Sequence, residues 1–112
     1  MKTAELTAAP LDYWVARSIG NSPVIRKVDG KAVCLVSWMP FEPSTAWSQG
    51  GPIVERHHVA IEWDNLKSCW IAKLVHIPRP GGVELFVSFG DTPLVAAMRA
   101  LVQSRFGKDV YS

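Results

Sequence analysis

Residues 41–56 read FEPSTAWSQGGPIVER, and no other run in the 112-residue chain gathers as many groups suited to binding. A Gly-Gly step ahead of a helix can cradle a phosphate on converging backbone N–H groups. Here Pro52 removes one of those donors directly after Gly50 and Gly51, and no Gly-x-Gly-x-x-Gly or Gly-Lys-Ser/Thr accompanies them. The pair therefore reads as a fixed corner, and the chemistry left to the run is recognition. Phe41 and Trp47 are aromatic anchors, Gln49 and the amides of Gly50 and Gly51 are hydrogen-bond donors, and Glu55 and Arg56 are flanking charges. Tryptophan and arginine are the residue types most often found at the energetic centre of interfaces.

Other chemistries find less support. His57, His58 and His76 with Cys34 and Cys69 supply ligand types for a metal. Adjacent histidines point apart on a helix or a strand, and neither His-x-x-x-His nor Cys-x-x-Cys occurs, so no metal site is expected. Nucleophilic catalysis has no Gly-x-Ser-x-Gly to rest on. Glu62 and Asp64 share a strand face, but it is the polar face of an alternating strand and reads as solvated surface. No catalytic residue and no cofactor are assigned, and an enzyme is not the expected class. Basic residues gather twice, as Arg26, Lys27 and Lys31 and as Arg99, Arg105 and Lys108, which are candidate nucleic-acid patches. The two cysteines are expected to be buried thiols of a reducing compartment.

These groups must be held by elements whose ends are legible. Thr7 caps a first helix, Pro10 sits in its first turn, and Leu6 with Leu11 forms a hydrophobic staple. Leu11, Trp14, Val15, Ser18 and Ile19 make its inner stripe, leaving Asp12, Tyr13, Ala16 and Arg17 outward. Asp29-Gly30 between two β-rich runs signals a hairpin, and the apolar second strand, Ala32 to Trp38, is expected to lie centrally and buried on both faces. Pro40, Pro43 and Pro52 exclude a regular strand across 39–58, and Pro52 is a suitable start for a short helix. Val59, Ile61 and Trp63 face one way on the next strand. A strand over SCWIAKLVH follows, PRPGG turns, and Val83, Leu85, Val87 and Phe89 share one side of the last strand. Thr92, Pro93 and Gly107 bracket a final helix with Leu94, Ala97, Met98, Leu101 and Val102 inward and Arg99, Ala100 and Gln103 outward.

The expected architecture is α+β: an antiparallel sheet, hairpin plus three-stranded meander, with N-terminal and C-terminal helices packed on one face. Residues 1–112 form one domain, since the length allows one core and no linker divides it. Twelve Lys/Arg against ten Asp/Glu leave a net charge of +2, too slight to demand nucleic acid. No apolar run is long enough to span a bilayer, and MKTAELTAAPLDYW contains no continuous apolar segment, so a secretory leader is not expected and the cytoplasm is.

Three blocks carry a resemblance. AELTAAPLDYWVAR near the start, PSTAWSQGGPIVER in the middle and DTPLVAAMRALVQSRFGKDV at the end together resemble the phage NinX-like family, small proteins of tailed phages and prophages. The middle block matches at Ser44, Thr45, Trp47, Gly50, Gly51, Pro52, Glu55 and Arg56, and the closing block at Pro93, Leu94, Ala96 to Arg99, Phe106 and Gly107. His57-His58 and the strands after it carry none of the likeness. The resemblance implies an accessory phage protein and brings no active site with it.

The expected function is a non-enzymatic module that binds a host or phage macromolecule, protein in preference to nucleic acid, through Phe41, Trp47, Gln49, Gly50, Gly51, Glu55 and Arg56. The alternatives are a small-molecule or minor enzymatic site between the 41–56 loop and the C-terminal helix, and a weak nucleic-acid binder. Trp38, ending a strand, is expected to plug the core, while Trp47 is left open between surface and plug. Self-association is left open as well.

Overall fold

The computed structural model describes residues 1–111. A short 3-10 turn (Thr3–Glu5) leads into α1 (Ala8–Ser18), then β1 (Val24–Val28), β2 (Lys31–Val36) and β3 (Met39–Pro40). After them come α2 (Trp47–Arg56), β4 (Ala60–Asp64), β5 (Cys69–His76), β6 (Glu84–Gly90) and α3 (Pro93–Phe106). The class is α+β and every strand pairing is antiparallel, but the strands divide into two three-stranded sheets, β1-β2-β3 and β4-β5-β6. α1 packs on β1 and β2, α3 packs on all three strands of the second sheet, and the two helices meet each other. The layers thus run sheet, helix, helix, sheet, with each sheet covered by its own helix.

That order explains which residues are inside. α3 is enclosed on several sides, so Leu94, Ala96, Ala97, Met98, Ala100, Leu101 and Val102 are all buried. Its alanines let neighbours approach closely: a Cβ on Gly90 at the end of β6 would stand 2.6 Å from the Ala96 nitrogen. The expected outward face of α3 is therefore largely inside. Ala100 is fully buried, Gln103 Oε1 accepts from Ser88 Oγ at 2.9 Å, and Arg99 donates to two carbonyls. The same holds for α1, where Asp12 and Ala16 are buried with the stripe, because the helix is sandwiched and not laid on a surface. At the α3 N-terminus, Thr92 Oγ1 accepts from the Val95 amide at 3.1 Å, and Gly107 leaves the helix with φ +83°. Thr7 stands at the α1 cap position without a side-chain bond.

Both hairpins of the first sheet turn in two residues with positive φ, Asp29-Gly30 and Ser37-Trp38, the geometry that matches strand twist. β2 is central, yet of its residues only Cys34 is fully buried, facing α1; the opposite face of this sheet has no covering layer. In the second sheet the inner positions are Ala72, Leu74, Phe86, Ser88 and Gly90. Leu85, Val87 and Phe89 share one side of β6, as expected, and it is the side without a helix. Small Ser88 and Gly90 face α3 because the helix lies too close for larger side chains, and this closeness overrides the apolar alternation. The chain ends pair as a short ribbon, with Met1 nitrogen donating to the Val110 carbonyl at 2.9 Å and Thr3 Oγ1 to the Gly107 carbonyl at 2.8 Å. Among the described residues no helix is long and apolar enough to cross a membrane.

Candidate functional site

The run from Phe41 to Arg56 forms a corner and then α2. The Phe41 amide donates to the Cys34 carbonyl at 2.9 Å, and its half-buried ring packs against the core. Pro43 and Ser44 are fully buried beneath. Thr45 and Ala46 amides close a turn on the Glu42 carbonyl at 3.1 and 2.8 Å. Gln49 ties this turn to the helix from both ends of its carboxamide: Oε1 accepts from the Glu42 amide at 2.6 Å, and Nε2 donates to the Pro40 carbonyl at 3.2 Å. Gly50 is where α2 meets the corner, since a Cβ there would overlap the Pro43 carbonyl and stand 2.7 Å from Leu94 Cδ2. Gly51 has no such crowding; its nearest neighbour would be Trp47 Cε3 at 3.9 Å.

α2 begins at Trp47, five residues before the expected start at Pro52, which lies inside it. Proline costs the Ser48 carbonyl its helical partner. Ser48 is exposed, so water can satisfy that oxygen. Gln49 and the Gly50 amide, which donates to Ala46 O at 2.8 Å, are thus engaged within the chain.

Under the corner lies a buried carboxyl. Asp12, 3% exposed, accepts from the Ser44 amide at 2.8 Å. Burial pushes its pKa from 3.8 up to about 6, opposed in part by Ser44; the negative charge of Glu42 adds a small push upward. The Ser44 hydroxyl is near enough to favour the carboxylate, yet it forms no hydrogen bond of good geometry. Because the folded pKa is raised, the fold holds a proton that the unfolded chain has shed between pH 4 and 6. Stability from this group is full below that window and falls as pH rises through it, by up to about 3 kcal/mol. Asp12→Asn keeps an acceptor for Ser44 N–H and offers the idle hydroxyl a donor. It is expected to raise stability by about 1–2 kcal/mol at pH 7. Urea midpoints at pH 4.5 and 7.5 test this: wild type should lose stability between them, and the variant should lose less.

Trp47 is different from its neighbours. Its side chain is 56% exposed at the first turn of α2 and walls an open groove of about 330 Å³ with Ser44, Thr45, Thr92, Pro93, Leu94 and Val95. No ionisable side chain lines that groove. Glu55 and Arg56 are exposed at the opposite end of the helix, about 14 Å from Trp47 at 1.5 Å per residue. The expected residues therefore separate into a buried support (Gly50, with half-buried Phe41 and Gln49), one presented ring, and a distant charged end.

The other groups are dispersed. Trp38 is 69% exposed and not a core plug; it sits at the β2–β3 turn with the Arg26 guanidinium 4.8 Å from its ring centroid. The C-terminal basic patch dissolves, because Arg99 Nε and Nη1 bind the Leu6 and Phe89 carbonyls at 2.9 and 2.8 Å. Cys34 is buried and Cys69 half-buried, and both are free. Burial, then the charge of Asp12, pushes the Cys34 thiol up to about 11. Among the described residues no three His, Cys, Asp or Glu groups converge to hold a metal. Sequence reasoning missed two clusters. One is Asp12 with Ser44; the other is His57 with Arg56 and Arg105 between the ends of α2 and α3.

Fold and corner together define a small α+β protein that presents an aromatic side chain from a braced turn. The family model described as bacteriophage P22 NinX matches residues 2–105, and the chain belongs to this family of phage proteins. No curated protein matches the chain significantly.

Proposed function

We propose that this phage-derived protein is a non-enzymatic binding module whose anchor is Trp47, docking a protein partner of host or phage origin. The observation that carries this reading is the contrast within the corner. Pro43, Ser44, Gln49 and Gly50 each have an internal partner or a buried contact, while the Trp47 ring stands mostly in solvent. A ring held out by a braced turn loses little conformational freedom on docking, so more of its burial appears as affinity. The adjoining groove supplies Thr45 and Thr92 as polar rim and Pro93 and Val95 as apolar floor. A groove without an ionisable side chain offers no general acid or base, which favours binding over catalysis at this place.

The test is capture from host and phage-infected lysates with the intact protein and with Trp47→Ala. Loss of an interface anchor of this kind costs about 2 kcal/mol or more. The variant should release a specific partner at least about thirtyfold more readily at unchanged thermal midpoint. Equal recovery by both proteins removes the groove from consideration.

A further inference from the structure

At the far end of α2 lies a hollow of about 460 Å³, bounded by the end of α1, the last turn of α2 and the last turn of α3. Three nitrogen-bearing side chains share its wall: Arg56 at the end of α2, His57 just after it and Arg105 from α3. Asn21 adds a carboxamide that makes no hydrogen bond among the described residues, while Ile19, Pro52 and Ile53 give the hollow an apolar side. We infer that this hollow is a binding site for a small organic phosphate, whose phosphoryl group the two guanidiniums clamp and whose organic part lies on the apolar side.

The charges have no other employment. The single ion pair among the described residues is Lys73 with Glu62, so neither Arg56 nor Arg105 has a carboxylate partner there, and no acidic residue lines the hollow. Arginine in a last turn often serves the exposed carbonyls of its own helix. Here, among the described residues, neither Arg56 nor Arg105 bonds such a carbonyl, and backbone amides take several of them: those of Ile19, Gly20 and Asn21 on α1, His57, His58 and Val59 on α2, and Gly107 on α3. The surroundings of His57 are cationic as well as partly dry. Burial lowers its pKa first, and Arg105, Arg56 and His58 lower it further. Both guanidiniums are exposed, so water screens them from each other, and an anion entering the hollow between them meets both charges. The planar, multi-donor guanidinium binds a phosphoryl group through paired N–H bonds. A volume of this size suits a nucleotide-sized ligand, and Ile19, Pro52 and Ile53 give its uncharged portion something to cover. Nothing in the arrangement calls for bond making or breaking.

The site is independent of Trp47, which stands at the other end of the helix. Its test uses the full chain, with the His57 imidazole proton resonance followed during titration at constant ionic strength set by chloride. Adenosine monophosphate is expected to bind and to raise the His57 titration midpoint, and adenosine at equal concentration is expected to do neither. Arg56→Gln and Arg105→Gln should each weaken binding at least tenfold while the thermal midpoint of the unliganded protein stays in place. Inorganic phosphate should bind at least tenfold more weakly than the nucleotide. Equal binding of the two would overturn the assignment to an organic phosphate, and so would nucleotide binding that survives in both variants. No resonance change beyond the chloride control would remove the site altogether.

Discussion

Gly50→Ala is expected to destabilise the protein by about 1–3 kcal/mol, even though alanine is the better helix former by about 1 kcal/mol. A Cβ at this position overlaps the Pro43 carbonyl oxygen and approaches Leu94 Cδ2 to 2.7 Å. Neither neighbour yields cheaply. Pro43 is fully buried, its carbonyl belongs to the backbone between Phe41 and Ser44, and Leu94 is locked in the core in the first turn of α3. Relief requires α2 to move off the corner, which strains the Gln49 bonds to Glu42 and Pro40. Gly51→Ala is the control, one residue along the same helix. Its Cβ meets nothing closer than 3.9 Å, so that variant should match wild type or gain a few tenths of a kcal/mol. Urea unfolding of the two variants side by side separates a packing requirement from a propensity effect. Equal midpoints would show that the helix does not press on the corner.

Arg99→Ala is expected to cost about 2–4 kcal/mol, since hydrogen bonds from a charged donor contribute about 1.5–3 kcal/mol each and their loss leaves two carbonyls unpaired. The guanidinium joins the segment before α1, through the Leu6 carbonyl, to the end of β6, through the Phe89 carbonyl, while growing from α3. One side chain thereby fixes the N-terminal segment, 93 positions away, to the junction of β6 and α3. Arg99→Lys retains the charge but has a single nitrogen and cannot hold both oxygens in the fork geometry, so it should recover only part of the loss. Full recovery with lysine would mean that charge alone matters, and the forked contact would then carry no weight.

What could be read from the sequence follows physical rules. The α3 boundaries were legible because Thr92, Pro93 and Gly107 each serve a local backbone need visible without tertiary context. Asp29-Gly30 was legible for the same reason. Arg99, Ala100 and Asp12 were misplaced because polarity marks a surface only when one face of a helix is covered, and α1 and α3 are covered on more than one. That Leu85, Val87 and Phe89 share one side was legible from alternation, which shows that two faces differ without showing which of them meets a helix. Within the corner, proline and two glycines announced a turn, but the Asp12 contact to Ser44 spans 32 positions and leaves no local trace. The arginine-lined hollow is equally silent, because Asn21, Arg56 and Arg105 become neighbours only after three helices have ended together.

The enclosed position of α3 also bears on how the chain is made. α1, α2 and the second sheet all lean on residues 93–106, which leave the ribosome after them. At translation speeds of about 5–20 residues per second, residues 72–86 wait roughly 1–7 s for the helix that completes their core. During that interval Ala72, Leu74 and Phe86 have no cover, and the nascent chain is a natural client for chaperones. A ribosome stalled before residue 93 should therefore display a protease-sensitive chain, and one that has extruded residue 106 a resistant one.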